Sequence, residues 1–194
     1  MMKKIANGPR WSDTWSQIPK VIFGTSTLGN LYEALSIQKK RAIVDSWFQC
    51  STELVCIDTA GKYGAGLALE EIGRGLRHFS VPPQRLLISN KLGWKRVPLV
   101  ASEPTFEPGV WKDLEHDAVQ AISYEGMMEC WNQGNNLLGA PYIPQLLSVH
   151  DPDEYLDGAS DRNERNRRFA DILDAYKALF ELKEQGKAPA IGIG

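Results

Sequence analysis

An α/β protein built on a parallel sheet is the fold class this sequence predicts, and three observations carry the prediction. Short apolar runs alternate four times with longer stretches of helical period, and a last apolar run follows. Such alternation gives parallel strands joined by helical crossovers. Three of the runs deliver an ionisable side chain as they surface: Leu54-Val-Cys-Ile57 into Asp58, Leu86-Leu-Ile-Ser-Asn90 into Lys91, and Leu146-Leu-Ser-Val149 into His150. Parallel strands all end on one side of a sheet, and α/β proteins place their chemistry there. The bulk also fits: 194 residues, 43% hydrophobic and 24% charged, suit a single domain over residues 1–194 with a sizeable core.

Residues 1–18 hold Pro9, Trp11 and Trp15 without a clear period. They are expected to form an N-terminal extension lying over the surface or bottom of the domain. Val21-Ile-Phe23 makes the first strand and ends in Gly24-Thr25. Ser36 is placed to cap a helix from about Ile37 to Gln49, with Ile43, Val44 and Trp47 as its apolar face. The second strand, Leu54 to Ile57, runs through Asp58 into a glycine-rich turn holding Gly61, Tyr63 and Gly64. Leu69, Ile72, Leu76 and Phe79 keep helical spacing from about Leu67 to Phe79, and Pro82-Pro83 stops that helix.

The third strand covers Leu86 to Asn90. From Trp94 to His116, residues Pro98, Pro104, Pro108 and Gly109 interrupt any period, which predicts a long loop of the kind that shapes a substrate pocket. The next helix runs from about Tyr124 to Leu138, with Met127, Met128 and Trp131 inward and Gly139 ending it. Gln145 to Val149 is the fourth strand, and Asp151-Pro-Asp-Glu154 opens another loop. A helix from about Asn163 to Gln185 is expected to carry Phe169, Ile172, Leu173, Tyr176, Leu179 and Phe180 as one apolar stripe. Gly186 caps it, Pro189 prevents its continuation, and Ile191-Gly-Ile193 starts a fifth strand.

Charge and cysteine usage narrow the function classes. A net charge of −2 leaves no electrostatic footprint for nucleic acid or an anionic membrane. No long apolar span is present, and Met1-Met-Lys-Lys-Ile5 lacks the apolar stretch of a signal peptide. Cys50, Cys56 and Cys130 are odd in number and not closely paired, which argues against a disulfide framework or a zinc site. A reducing cytoplasm is the simplest compartment, and no metal is expected. Gly61-Lys-Tyr-Gly-Ala-Gly66 lacks the order of a phosphate-binding loop and reads as a tight turn that admits Tyr63. Gly192 and Gly194 suggest a dinucleotide turn, but nothing follows them. Arg162, Arg165, Arg167 and Arg168 interleave with Asp161 and Glu164 as a solvated helix start. His78 and His116 are assigned no chemistry.

Ile57-Asp-Thr-Ala60 with Tyr63-Gly64, then Ser89-Asn-Lys-Leu92, then Val149-His150 stand in one order at three strand ends. In that arrangement they resemble the aldo-keto reductase family, from about Val21 to the last residue. Ser123-Tyr-Glu-Gly-Met127 and Val149-His-Asp-Pro-Asp153 look most like its aldose 1-dehydrogenase branch, of the D-threo-aldose or L-fucose type. The resemblance implies a (β/α)8 TIM barrel, of which this chain supplies about the first five strands. A complete barrel has eight repeats and typically about 250 residues. A fifth strand left unpaired presents an apolar edge, so association is expected of such a half-barrel, a homo-oligomer included.

The chemistry implied by the resemblance is hydride transfer between NAD or NADP and a sugar or aldehyde, above all oxidation of an aldose at C1 to its lactone. Tyr63 is the implied acid/base. A free phenol ionises near pH 10, and a neighbouring ammonium stabilises the phenolate; Lys91 takes that part. Asp58 keeps Lys91 charged and placed, and His150 orients the substrate oxygen. Gly24, Thr25 and Asp58 are the implied cofactor contacts; Trp94, shortly after Lys91, either joins His150 at the substrate or packs within its loop. Alone, each of the four catalytic candidates has an ordinary structural role: a turn aspartate, a packed tyrosine, a solvated lysine, a structural histidine. Jointly, in this order, they point to catalysis. The alternatives are a general NADPH-dependent aldehyde or ketone reductase, a non-catalytic scaffold of the same shape, and more remotely a helix-rich structural protein.

Overall fold

The structure, a computed structural model, describes residues 18–51 and 54–194. The expected N-terminal extension lies, but for its last residue, outside the described residues. Five strands form a parallel sheet: β1 (Ile22–Gly24), β2 (Val55–Ala60), β3 (Leu86–Leu92), β6 (Leu146–Val149) and β7 (Ala190–Ile193), in the spatial order β1-β2-β3-β6-β7. The helices between them are α1 (Ile37–Gln49), α2 (Leu67–His78), α3 (Tyr124–Leu138), α4 (Pro152–Asp157) and α5 (Arg162–Glu184). Each strand is followed by a helical stretch before its parallel neighbour, as the alternation requires.

Local chemistry accounts for the boundaries. Ser36 Oγ accepts from the Lys39 N–H, Ser123 Oγ from Gly126 and Asp161 Oδ1 from Glu164, each satisfying an amide that the first helical turn leaves unpaired. Period-2 alternation then sorts the sheet into two faces. Val55, Ile57 and Ile88 pack with α1 and α2 around Val44, Trp47, Leu69 and Ile72. Leu92, Leu147 and Val149 pack with α3 and α5 around Met127, Trp131, Ala175 and Leu179. The other face of the strands carries Cys56, Asp58, Ser89, Lys91 and Ser148.

Three expectations are corrected. Trp94 to His116 is not a structureless loop: β4 (Trp94–Pro98) and β5 (His116–Gln120) pair antiparallel as a ribbon. Neither strand alternates cleanly between apolar and polar residues, so the pairing leaves no period to read. The stretch after Asp151 is helix α4, which Pro152 opens at a first-turn position that needs no N–H. Finally, α5 carries two apolar stripes rather than one. Ile172, Ala175, Leu179 and Leu182 face the core, whereas Phe169, Leu173 and Phe180 are each 53% exposed. Small alanines, not the phenylalanines, mark the side where the helix approaches the sheet.

Cys56 and Cys130 are buried free thiols, and burial pushes both up to about 11, so they stay protonated. Among the described residues, no helix is long and apolar enough to cross a membrane, and no cluster of His, Cys, Asp and Glu is placed to hold a metal ion.

Candidate active site

The sheet's register brings the strand-end residues together. Asp58 pairs with Ser89 and Ala60 with Lys91, so Asp58 and Lys91 share a face one step apart on neighbouring strands. The Lys91 ammonium reaches back to Asp58 Oδ2 at 2.5 Å. His150 follows directly after β6 and donates its backbone N–H to Leu92 O at 2.8 Å, which carries its ring to the same end.

Tyr63 arrives from the turn after β2, and glycines put it there. Gly64 has φ +61°, and a side chain at Gly29 or Gly64 would strike backbone atoms of the other's segment at under 3 Å. The two turns therefore touch backbone to backbone, which only glycine permits. Tyr63 Oη accepts from Lys91 Nζ at 2.8 Å, and its ring meets that of His150 edge-on with centroids 5.8 Å apart. Lys91 is thus a bridge, donating to a carboxylate and a phenol at once.

Electrostatics set the protonation states. Burial acts to lower the Lys91 pKa, but the hydrogen bonds to Asp58 and Tyr63 and the Asp58 charge outweigh it and raise it, so the ammonium stays charged. His150 moves the other way. Burial, with the Lys91 and Lys62 charges adding to it, lowers its pKa to about 4 against the opposing pull of Asp151 and Asp58. At neutral pH the ring is neutral, with one nitrogen that donates and one that accepts.

Tyr63 and His150 border a cavity of about 570 Å³ walled by Trp111, Lys62, Glu107 and Asp151. The β4–β5 ribbon supplies much of that wall. Phe106, Trp111 and Leu114 from its connecting segment bury against Ala65, Leu31 and Tyr63. The backbone pairs of Tyr32 with Val110 and of Lys112 with Asn30 fasten the segment to the turn after β1.

Two of the expected contacts have partners within the fold. Trp94 does not line this cavity: it packs on Phe106 with centroids 5.8 Å apart, and the Lys62 ammonium lies 5.2 Å from its ring centroid. Trp111 is the aromatic wall instead, and Thr105-Phe-Glu-Pro-Gly-Val-Trp111 carried no period to announce it. Thr25 is buried, and its hydroxyl donates to the Asp58 carbonyl at 2.9 Å, tying β1 to β2. Gly24 beside it is open, with no atom within 4 Å of where a Cβ would stand. Lys62 and Glu107, absent from the expected set, stand inside the wall.

The sequence model of the aldo/keto reductase family matches residues 20–194. Among curated proteins the chain is 27% identical over 179 residues to pyridoxal 4-dehydrogenase of Microbacterium luteolum, covering 88% of this chain and 50% of that protein. It is 27% identical over 184 residues to D-threo-aldose 1-dehydrogenase of Pseudomonas sp, covering 91% and 50%. The chain therefore spans about half the length of the curated relatives it matches. Among solved structures it is similar to the holo form of an aldo-keto reductase from Bacillus halodurans, with TM-score 0.57 and 21% identity over 90% of this chain and 45% of that one. A Bombyx mori aldo-keto reductase in complex with NADP gives TM-score 0.55 and 20% identity over 91% and 46%. At such identities the likeness is one of fold: the parallel sheet is about the first five strands of a (β/α)8 barrel.

Proposed function

This chain belongs to the aldo/keto reductase family, and from that premise we propose that its protein is an NAD(P)-dependent oxidoreductase whose substrate is a hydroxyaldehyde, an aldose oxidised at C1 above all. One observation carries the reading: Lys91 Nζ bridges Asp58 Oδ2 and Tyr63 Oη, and Tyr63 borders a cavity with His150. The bridge leaves the Tyr63 O–H proton free to move to or from a substrate oxygen.

A nicotinamide cofactor fits beside this bridge. In the strand order, β1 and β6 flank the Asp58–Lys91 pair on opposite sides. Gly24 leaves open space on the β1 flank, and His150 occupies the β6 flank; Gly24, Thr25 and Asp58 are the residues that would hold the cofactor. When bound, the cofactor supplies or accepts the hydride. Everything else falls to the chain's own residues. In the reducing direction Tyr63 Oη gives its proton to the carbonyl oxygen, and the Lys91 ammonium stabilises the charge left on Oη. Asp58 holds that ammonium in place. Neutral His150 hydrogen-bonds the same substrate oxygen and orients it. In the oxidising direction Tyr63 receives the proton of the hydroxyl that loses its hydride.

The names of the curated relatives support the substrate class. Aldoses and pyridoxal both carry an aldehyde beside a hydroxyl that closes on it as a cyclic hemiacetal. Removing hydride from the hemiacetal carbon and the proton from its hydroxyl leaves a lactone. The free thiols of Cys50, Cys56 and Cys130 support a reducing compartment such as the cytoplasm. The experiment is a panel of aldoses and pyridoxal, each with NAD⁺ and NADP⁺, on the full-length protein, followed by reduction of simple aldehydes with NADPH. Lactone formation faster than aldehyde reduction is expected. The reverse order makes the protein a general aldehyde reductase, and silence in both directions removes the oxidoreductase reading.

A further inference from the structure

A second lysine stands beside Tyr63 and takes no part in the steps above. The Lys62 side chain is 8% exposed, and its ammonium lies 2.8 Å from Glu107 Oε1, 3.3 Å from Asp151 Oδ2 and 3.9 Å from Glu154 Oε2. Burial works against its charge, but the bond to Glu107 and the nearby Asp151 carboxylate more than restore it, and its pKa is raised. Three separate segments therefore converge on one buried cation: the turn after β2, the connection between β4 and β5, and the loop after β6.

Two of its partners look both ways. Asp151 Oδ2, which Lys62 holds, also lies 3.4 Å from His150 Nε2. Glu107 offers one oxygen to Lys62, while its other oxygen accepts from Trp111 Nε1 at 2.7 Å. Asp151 sits at φ 45°, a left-handed conformation that a non-glycine residue adopts at a cost. Its backbone N–H is fixed to the Gly194 carbonyl at 2.7 Å. The fold thus spends local strain to keep this carboxylate between Lys62 and His150.

We propose that Lys62 is a positioning residue of this site: by drawing Asp151 against His150 and Glu107 against Trp111, it fixes the histidine edge and the aromatic wall that hold the reacting end of the substrate. The proposal rests on the hydride-transfer reading above. Lys62 touches no reacting atom, so its effect passes through His150 and Trp111. The charged groups acting on His150 are Asp151 from its own loop, Lys91 from β3, Asp58 from β2 and Lys62 from the turn after β2. Lys62 lowers the His150 pKa and Asp151 raises it, so removing each moves that ring's titration in opposite directions.

The test uses the full-length enzyme with an aldose it oxidises. Lys62→Met, which removes the charge and keeps the length, is expected to lower kcat/KM at pH 7 by roughly tenfold or more. It is expected to move the acid limb of the kcat/KM profile to higher pH. Asp151→Asn is expected to move that limb to lower pH. The two losses are expected to add only in part in the double variant, because both act on His150. Lys62→Arg is expected to recover most of the loss. Wild-type kcat/KM and pH profile in Lys62→Met, or fully additive losses with an unmoved acid limb, overturn the proposal. If Lys62→Met does not fold, Asp151→Asn and Glu107→Gln carry the test: an unmoved limb in the first with wild-type KM in the second overturns it. Turnover retained by Tyr63→Phe is a different result, and it removes the hydride-transfer reading instead.

Discussion

On one flank of the sheet, β2 and β3 lie between strands on both sides and under α1 and α2, and Ile57, Leu69, Ile72, Leu76 and Ile88 are all but sealed from solvent. On the other flank β7 pairs on one side only among the described residues, and Phe169, Leu173 and Phe180 of α5 are each 53% exposed. The Asp58–Lys91–Tyr63 bridge stands on the first flank. An ion pair that must hold its geometry to tenths of an ångström needs rigid strands under it, and only doubly flanked strands supply that. The candidate acid/base group therefore stands on the closed flank.

Substitutions can break this comparison, and the largest effect is expected at the bridge. Lys91→Met removes the donor to both Asp58 and Tyr63 and is expected to lower kcat of the full-length enzyme by about 10²–10⁴-fold. Steady-state kinetics with a saturating aldose reads it, and a loss below tenfold makes the bridge structural only. Next come the two flanks themselves. Leu69→Ala empties a fully buried position and is expected to cost about 2–5 kcal/mol in urea unfolding. Phe180→Ala on the open stripe is expected to stay within about 0.5 kcal/mol. Equal costs would erase the contrast.

A pH dependence is expected as well. His150 ionises near pH 4 in the folded chain and near pH 6.5 when unfolded. Between those values the unfolded state binds the extra proton, so stability is expected to fall as pH drops from about 6.5 to about 4. His150→Gln should flatten that part of the stability profile, read by urea midpoints at each pH. An unchanged slope means that other groups carry it.

The parts visible in the sequence are those set by local rules. Asp58, Lys91 and His150 were legible because apolar runs break sharply at strand ends. Ser36 was legible because a cap acts within one helical turn. The β4–β5 ribbon was not, since Trp94 pairs with Gln120 across an intervening segment without period. Phe180 was placed on the wrong side of α5 because hydrophobicity alone cannot separate two apolar stripes, whereas the alanines at 175 and 178 can. Lys62 was passed over because its partners are remote: Asp151 lies 89 residues away, and no spacing rule connects them. Trp94 drew notice for its nearness to Lys91 in sequence, although the chain turns it onto Phe106.

The most direct measurement is turnover of full-length Tyr63→Phe beside its affinity for the nicotinamide cofactor, read by fluorescence. The phenyl ring keeps the packing against Trp111 and His150 and loses only the hydroxyl. The account predicts cofactor binding close to wild type, with aldose oxidation reduced by about 10²-fold or more. Turnover near wild type would contradict it, because the proton would then be moving through some other group.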